Sequence, residues 1–240
     1  MPIDRSTIAP ALVLGLCLMG AAGIGAYAFY KVHTLDNTLT VTGSATTEAT
    51  ADSAKWTVSL SRSAYEADLP GAQTRIAADA KQVSDFFTKG GIAADKVTLS
   101  PAFVDREYSS DQNAPLRYTV RTDVSVESDK PALVRQLSKD ISMLSARGIV
   151  VSAQTPQYYI SNLPELRVSL IGKAVEDAKA RAEQIAKSTD RSVGALQSAS
   201  GGVVQVLASG SVDISDYGNY DTSTIDKKVM VTARATFYLR

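Results

Sequence analysis

Apolar residues follow three rhythms along this chain. Over residues 8–29 every position is apolar or small, an unbroken run of 22 residues. About 20 such residues make a helix that crosses the hydrocarbon core of a bilayer. After a polar connector at residues 31–37 the rhythm changes. Residues 39–52, LTVTGSATTEATAD, read as a strand and a turn-rich link. Trp56, Val58 and Leu60 then alternate with Lys55, Thr57, Ser59 and Ser61, the period of a half-buried strand. From Ala72 the interval lengthens to three and four, through Ile76, Ala80, Val83 and Phe87. Asp68 and Pro70 mark the start of this amphipathic helix and Gly90-Gly91 its stop.

Strands resume at residues 97–104 and 116–127, joined by the polar loop 105–115. In the second of them Leu116, Tyr118, Val120, Val124 and Val126 face one way, and Arg117, Thr119, Arg121, Asp123 and Glu127 the other. A second helix opens near Ser128 or Asp129, carries Leu133, Leu137, Ile141 and Leu144 on one stripe, and closes at Gly148. Residues 149–160 form the next strand. A third helix has the continuous stripe Ile171, Ala174, Val175, Ala178, Ala182, Ile185 and Ala186, its Ala content suited to close packing on a sheet. Lys173 with Asp177, Asp177 with Arg181, and Glu183 with Lys187 stand four apart with opposite charge. The last strands are 203–208 and 229–239, the latter turning Val229, Val231, Ala233, Ala235, Phe237 and Leu239 inward.

Strand, helix, strand, strand, helix, strand over residues 54–160 is the split βαβ order. It predicts an α+β domain over residues 38–240: one mixed or antiparallel sheet with the three amphipathic helices on one face, since right-handed crossovers place helices on the same side. The apolar strand faces are then covered, and the polar faces meet water or a partner. Gly91-Ile92 and Gly148-Ile149 repeat a step after each helix, which a glycine helix stop explains without a duplication.

Composition narrows the function. The 240 residues carry 25 basic and 25 acidic side chains, 45% apolar content, one Cys and one His. This excludes disorder and a basic nucleic-acid binder; no nucleic acid is expected as a partner. No charge lies between Arg5 and Lys31. Residues 8–29 exceed the 7–15 apolar residues of a signal peptide, favouring an uncleaved anchor, although Ala26-Tyr27-Ala28 offers a cleavage site. Leu16 is too bulky before Cys17 for lipoprotein processing. Arg5 and the amino terminus slightly favour an inside N-terminus, leaving the body of the chain outside the cytoplasm.

Candidate chemistry is sparse. His33 lies in the connector, with no pocket to tune it, and Cys17 reads as a small apolar residue in the membrane run. Ser-His-Asp, Cys-His and zinc arrangements are thereby unavailable to the domain alone, and no phosphate-binding glycine loop appears. No catalytic, cofactor or metal residue is assigned. Asp213, Asp216, Asp221 and Asp226 crowd the loop 209–226 without the spacing of an EF-hand. That loop reads as a solvated hairpin, in which Tyr217 and Tyr220 are suited to anchoring a partner.

With VTGSATTEATAD, the Gly90-Gly91-Ile92 step and KAVEDAKARAEQIAKSTDRSVGALQSAS (173–200), the chain resembles the SIMPL-domain proteins, which include bacterial periplasmic immunogenic and outer-membrane-associated antigens. Asp177-Ala178, Arg181-Ala182 and Gly194 fit the pattern, whereas Asp190 stands where a glycine turn is usual. The resemblance implies an envelope-facing α+β domain without an established catalytic activity, sometimes linked to stress tolerance and to ring-like oligomers. The expectation is a single-pass inner-membrane protein held through residues 8–29. Its domain lies in the periplasm, or is released there if the segment is cut. It is non-enzymatic and acts as a homo-oligomer or on an unidentified envelope partner. Capture of a small molecule beneath the helices, and carboxylate-based glycan hydrolysis, are the alternatives.

Overall fold

The apolar run folds as one helix, α1 (Arg5–His33), 29 residues long. The computed structural model describes residues 5–33, 37–108, 114–211, 215 and 217–240, with the side chains of α1 described over 13–31. None of residues 13–31 is buried against protein, so this apolar surface is matched to a lipid-like surrounding. A signal anchor and a signal peptide both have this form. The helix runs on through His33, so residues 31–33 of the expected connector are helical.

Two sheets follow, not the single sheet expected. One consists of β1 (Thr38–Thr50), β8 (Val193–Ala208) and β9 (Asp226–Leu239), in the order β1-β9-β8. The other is built on β2 (Ser53–Tyr65) and β5 (Arg117–Ser128), antiparallel over 12 residue pairs. Short strands flank them: β3 (Val97–Leu99) and β4 (Phe103–Arg106) beside β5, and β6 (Val151–Ala153) and β7 (Gln157–Tyr159) beside β2. The helices are α2 (Leu69–Lys89), α3 (Pro131–Asp140), α4 (Ser142–Ser145) and α5 (Leu163–Lys187). The chain is α+β, and its residues divide into two compact units, 1–44 with 171–202 and 232–240, and 45–170 with 203–231.

The second unit has the deeper core. Trp56, Val58 and Leu60 of β2 and Val120, Val124 and Val126 of β5 lie under Ile76, Val83 and Phe87 of α2, as the alternation and the helical stripe require. Trp56 meets Phe87 edge to face with ring centres 5.3 Å apart, and its indole N–H donates to the Gln154 carbonyl at 2.7 Å. Buried Asp79, an acid inside the α2 stripe, accepts from Arg62 of β2. Strand 97–104 is interrupted at Pro101, and strand 149–160 around Pro156, because proline has no N–H to give a ladder. The second helix breaks at Ile141; its buried stripe is Val134, Leu137 and Leu144, with Leu133 and Ile141 half-buried.

The first unit packs more thinly. Residues 39–50 are strand throughout rather than strand and link. Ala178 and Ala182 of α5 cluster with Ala235 and Phe237 of β9, joined by Leu39, Val41 and Val193. The stripe is narrower than expected: Ala174, Ala178, Ala182 and Ala186 are buried, but Ile185 is exposed. A row of methyl groups lets α5 come so close to β1 that a side chain at Gly43 would overlap the backbone of Ala174 and Ala178. One turn of charge locks this approach. The Ser44 N–H donates to Asp177 Oδ2 at 2.8 Å, and Arg181 Nε lies 2.9 Å from the same oxygen. Of the other i,i+4 pairs, Glu183 turns back to Lys179 at 3.8 Å instead of forward to Lys187.

Three helix ends share one device. Gly91, Gly148 and Asp190 have positive φ values of 98°, 79° and 54°. The next N–H reaches back five residues in each case: Ile92 to Phe87 at 3.1 Å, Ile149 to Leu144 at 3.3 Å and Arg191 to Ala186 at 2.9 Å. This is the Schellman closure, and the Gly-Ile step is its sequence trace, the buried isoleucines supplying the apolar contact. Only Asp190 closes the device with a side chain in the left-handed region. Asp190→Gly is therefore expected to raise unfolding free energy by roughly 0.5 kcal/mol, the relief of strain less the extra chain entropy of glycine. Urea denaturation measures it, and a loss of stability contradicts it.

Candidate functional site

The loop after β8 is not a free acidic hairpin. Asp213 and Asp216 lie outside the described residues, but Asp221 is held firmly. Its Oδ1 accepts from the Ser223 N–H at 3.0 Å and hydroxyl at 2.6 Å, and its Oδ2 from the Thr224 N–H at 3.2 Å and from the Thr224 hydroxyl. Lys227 completes the set. Its side chain is fully buried, with Nζ 3.2 Å from Asp221 Oδ2 and 2.5 Å from the Asp221 carbonyl. Burial opposes ionisation of Asp221 more than any single contact favours it, yet the bonds from Ser223, Thr224 and Lys227 together hold its carboxyl far below the usual range.

Neighbouring side chains carry this anchorage further. Tyr220 accepts from the Ile160 N–H at 2.9 Å through its hydroxyl, and its ring lies 5.9 Å from Lys227 Nζ. It is thus a strut of the loop, while Tyr217 is fully exposed. Buried Gln205 exchanges two bonds with the backbone of Ser215, at 3.0 and 3.2 Å. The sequence pattern passed over Lys227 because lysine is read as a surface residue. Extending the alternation of Val229 and Val231 by one step already places it inward.

Among the open clefts of the second unit, two are lined by both acidic and basic side chains. The first, about 630 Å³, is lined by Asp52, Lys96, Glu127, Asp129, Lys130 and Ser161, among others. Two of its carboxylates have partners: Asp52 accepts from the Ser161 N–H at 2.9 Å and hydroxyl at 2.5 Å, and Glu127 pairs with Lys55 at 2.7 Å. The second, about 550 Å³, runs over the sheet face away from α2, where Ser59, Ser61, Arg121, Asp123 and Ser152 surround exposed Phe103. Enclosed small-molecule sites are mostly apolar with a few placed polar groups; both of these are open and rich in charge and hydroxyl groups.

The carboxyls whose proton affinity is displaced all move downward. Hydrogen bonds from Thr119 and Ser63 lower Glu107, Lys55 lowers Glu127, and the Ser44 N–H lowers Asp177. A group with a depressed folded value contributes stability that is complete above its unfolded value, about 4, and is lost as pH falls through the folded one. Thermal melts are therefore expected to stay level from pH 7 to about 5 and to drop below about 4. Asp221→Asn is expected to flatten that acid limb, and an unchanged limb would remove Asp221 from the account.

His33 belongs to the last turn of α1, its side chain outside the description, and Cys17 lies mid-helix. Among the described residues no three His, Cys, Asp or Glu side chains gather closely enough to hold a metal ion. Over residues 39–237 the sequence matches the family described as SIMPL, protein of unknown function (DUF541). No curated protein matches the chain.

Proposed function

The chain belongs to the SIMPL family, and from that membership we propose that it is a membrane-tethered envelope protein working by macromolecular contact, with itself or a partner, and not by turnover. The observation that carries this reading is the second sheet, one face of which is closed by α2 while the other carries exposed Arg121 among half-buried Thr57, Ser59, Ser61, Thr119 and Asp123. A surface of hydroxyls and balanced charge suits association that stays reversible in water. α1 supports the tether, since a helix of this length and composition spans a bilayer when it is retained. The carboxyls support the non-enzymatic half, because a general acid needs a raised proton affinity and the displaced ones here are held ionised by internal partners. The domain then lies on the periplasmic side, where the resemblance also puts a contribution to stress tolerance.

Light scattering on the full chain in mild detergent tests self-association, with a mass of two or more chains expected. A strictly monomeric particle sinks that half. Crosslinking in intact envelopes followed by pull-down tests the partner half, and recovery of the uncrosslinked monomer alone overturns it.

A further inference from the structure

Sheet edges expose unpaired N–H and C=O groups, and proteins blunt them with short strands, prolines, charge or a covering element. Most edges of this protein are treated so. In the second unit, β3 and β4 are 3 and 4 residues long with Pro101 between them, and β6 and β7 are 3 residues each with Pro156 between them. In the first unit, β1 has α5 against Gly43, and its Ser44 N–H is taken by Asp177. β8 is covered only near its C-terminal end, where the Val206 N–H donates to the Asn219 carbonyl and the Val206 carbonyl accepts from the Asp221 N–H, both at 2.7 Å; over residues 193–201 it has none of these devices. It runs 16 residues, VGALQSASGGVVQVLA, without a charge or a proline, at the outside of the order β1-β9-β8. Seven consecutive residues, 195–201, are exposed with no alternation, so neither face of this half-strand is covered.

The register shows which groups are free. Ser192 and Arg240 exchange both backbone bonds at 2.9 Å, and the Leu239 N–H turns the other way, to Asn37 of the β1 side, at 2.8 Å. By strand alternation, the backbone groups of Val193 and Ala195 point away from β9. Resting on the contact reading above, we propose that the β8 edge is the seam of self-association, paired antiparallel with β8 of a second copy.

The edge itself selects that occupant. A strand laid here must bring an unpaired edge of its own, and no charged residue lies between Arg191 and Asp213 to repel the same segment of a second copy. The same segment of another copy meets the requirement without adjustment. A two-fold axis across antiparallel β8 strands makes the contact self-complementary and consumes both unblunted edges, which closes the assembly as a pair.

Full-length Ala195→Pro and Ser198→Lys test the seam by light scattering in mild detergent, with circular dichroism reporting fold. Proline at an outward edge N–H leaves the β9 ladder intact, and Ser198 is exposed, so both variants are expected to fold and to show half the wild-type mass. Wild-type oligomers whose mass neither folded variant changes overturn the seam and leave self-association standing. A monomeric wild type overturns both. Crosslinking at this edge to a different protein, lost in Ala195→Pro, overturns a second copy as the occupant.

Discussion

Gly43→Ala is expected to destabilise the protein by about 3 kcal/mol, the upper end of what an added methyl costs in a packed interior. The new Cβ would sit 2.8 Å from Ala178 Cα and closer still to the Ala174 carbonyl oxygen and the Ala178 nitrogen. These are backbone atoms of a helix, and no rotamer moves them aside. α5 must retreat from β1. The retreat stretches the bond between the Ser44 N–H and Asp177, and thins the contact of Ala178 and Ala182 with Ala235 and Phe237. Gly172→Ala is the matched control, since that position of α5 has open space around it and alanine is the better helix former; a gain of roughly 0.5–1 kcal/mol is expected there. Urea unfolding of both variants decides the matter. A loss below about 1 kcal/mol at Gly43 would mean the helix accommodates the methyl and the close approach is not maintained.

Asp221→Ala is expected to cost about 3–5 kcal/mol, because it strands a buried ammonium. Lys227 has no exposed side-chain surface, and without the carboxylate it keeps only the Asp221 carbonyl and the face of the Tyr220 ring. The reciprocal change is milder. Lys227→Met fills the same volume with an apolar chain and leaves Asp221 its bonds from Ser223 and Thr224, so roughly 1–2 kcal/mol is expected. Thermal unfolding of the two variants at neutral pH reads the asymmetry. Equal losses would show that the pair acts as a simple Coulombic contact rather than as a buried cation needing its anchor.

The strongest periodicities translated directly into buried surface. All five stripe residues of α2 are buried, as are Trp56, Val58 and Leu60, and Val229 through Phe237 at alternate positions. The reading failed where a local signal was read as a boundary. The Thr, Ser and Gly of residues 39–50 suggested a link, yet small residues are what a strand needs under a closely packed helix. Residues 193–202 offer no apolar alternation because both faces are exposed, so this half of β8 left no periodic trace. Leu163 to Leu170 extend α5 by two turns ahead of the expected start, the Ala stripe having drawn attention only to its thinner half. Of the candidate residues, Tyr220 and Asp221 proved to be anchors of the loop.

What the sequence determined by itself is whatever depends on neighbours in the chain: the apolar length of α1, the period of the strands and helices that have one buried face, and the helix stops at Gly91 and Gly148. Tertiary structure alone decided that two sheets form, that Ser44 and Asp177 meet across 133 residues of chain, that Lys227 is buried, and that the edge of β8 is left bare over residues 193–201. The physical reason is that local periodicity is written in residues a few places apart. Close approach, charge pairing and edge exposure depend instead on which distant segments the packed chain brings together, and on which it leaves without a neighbour.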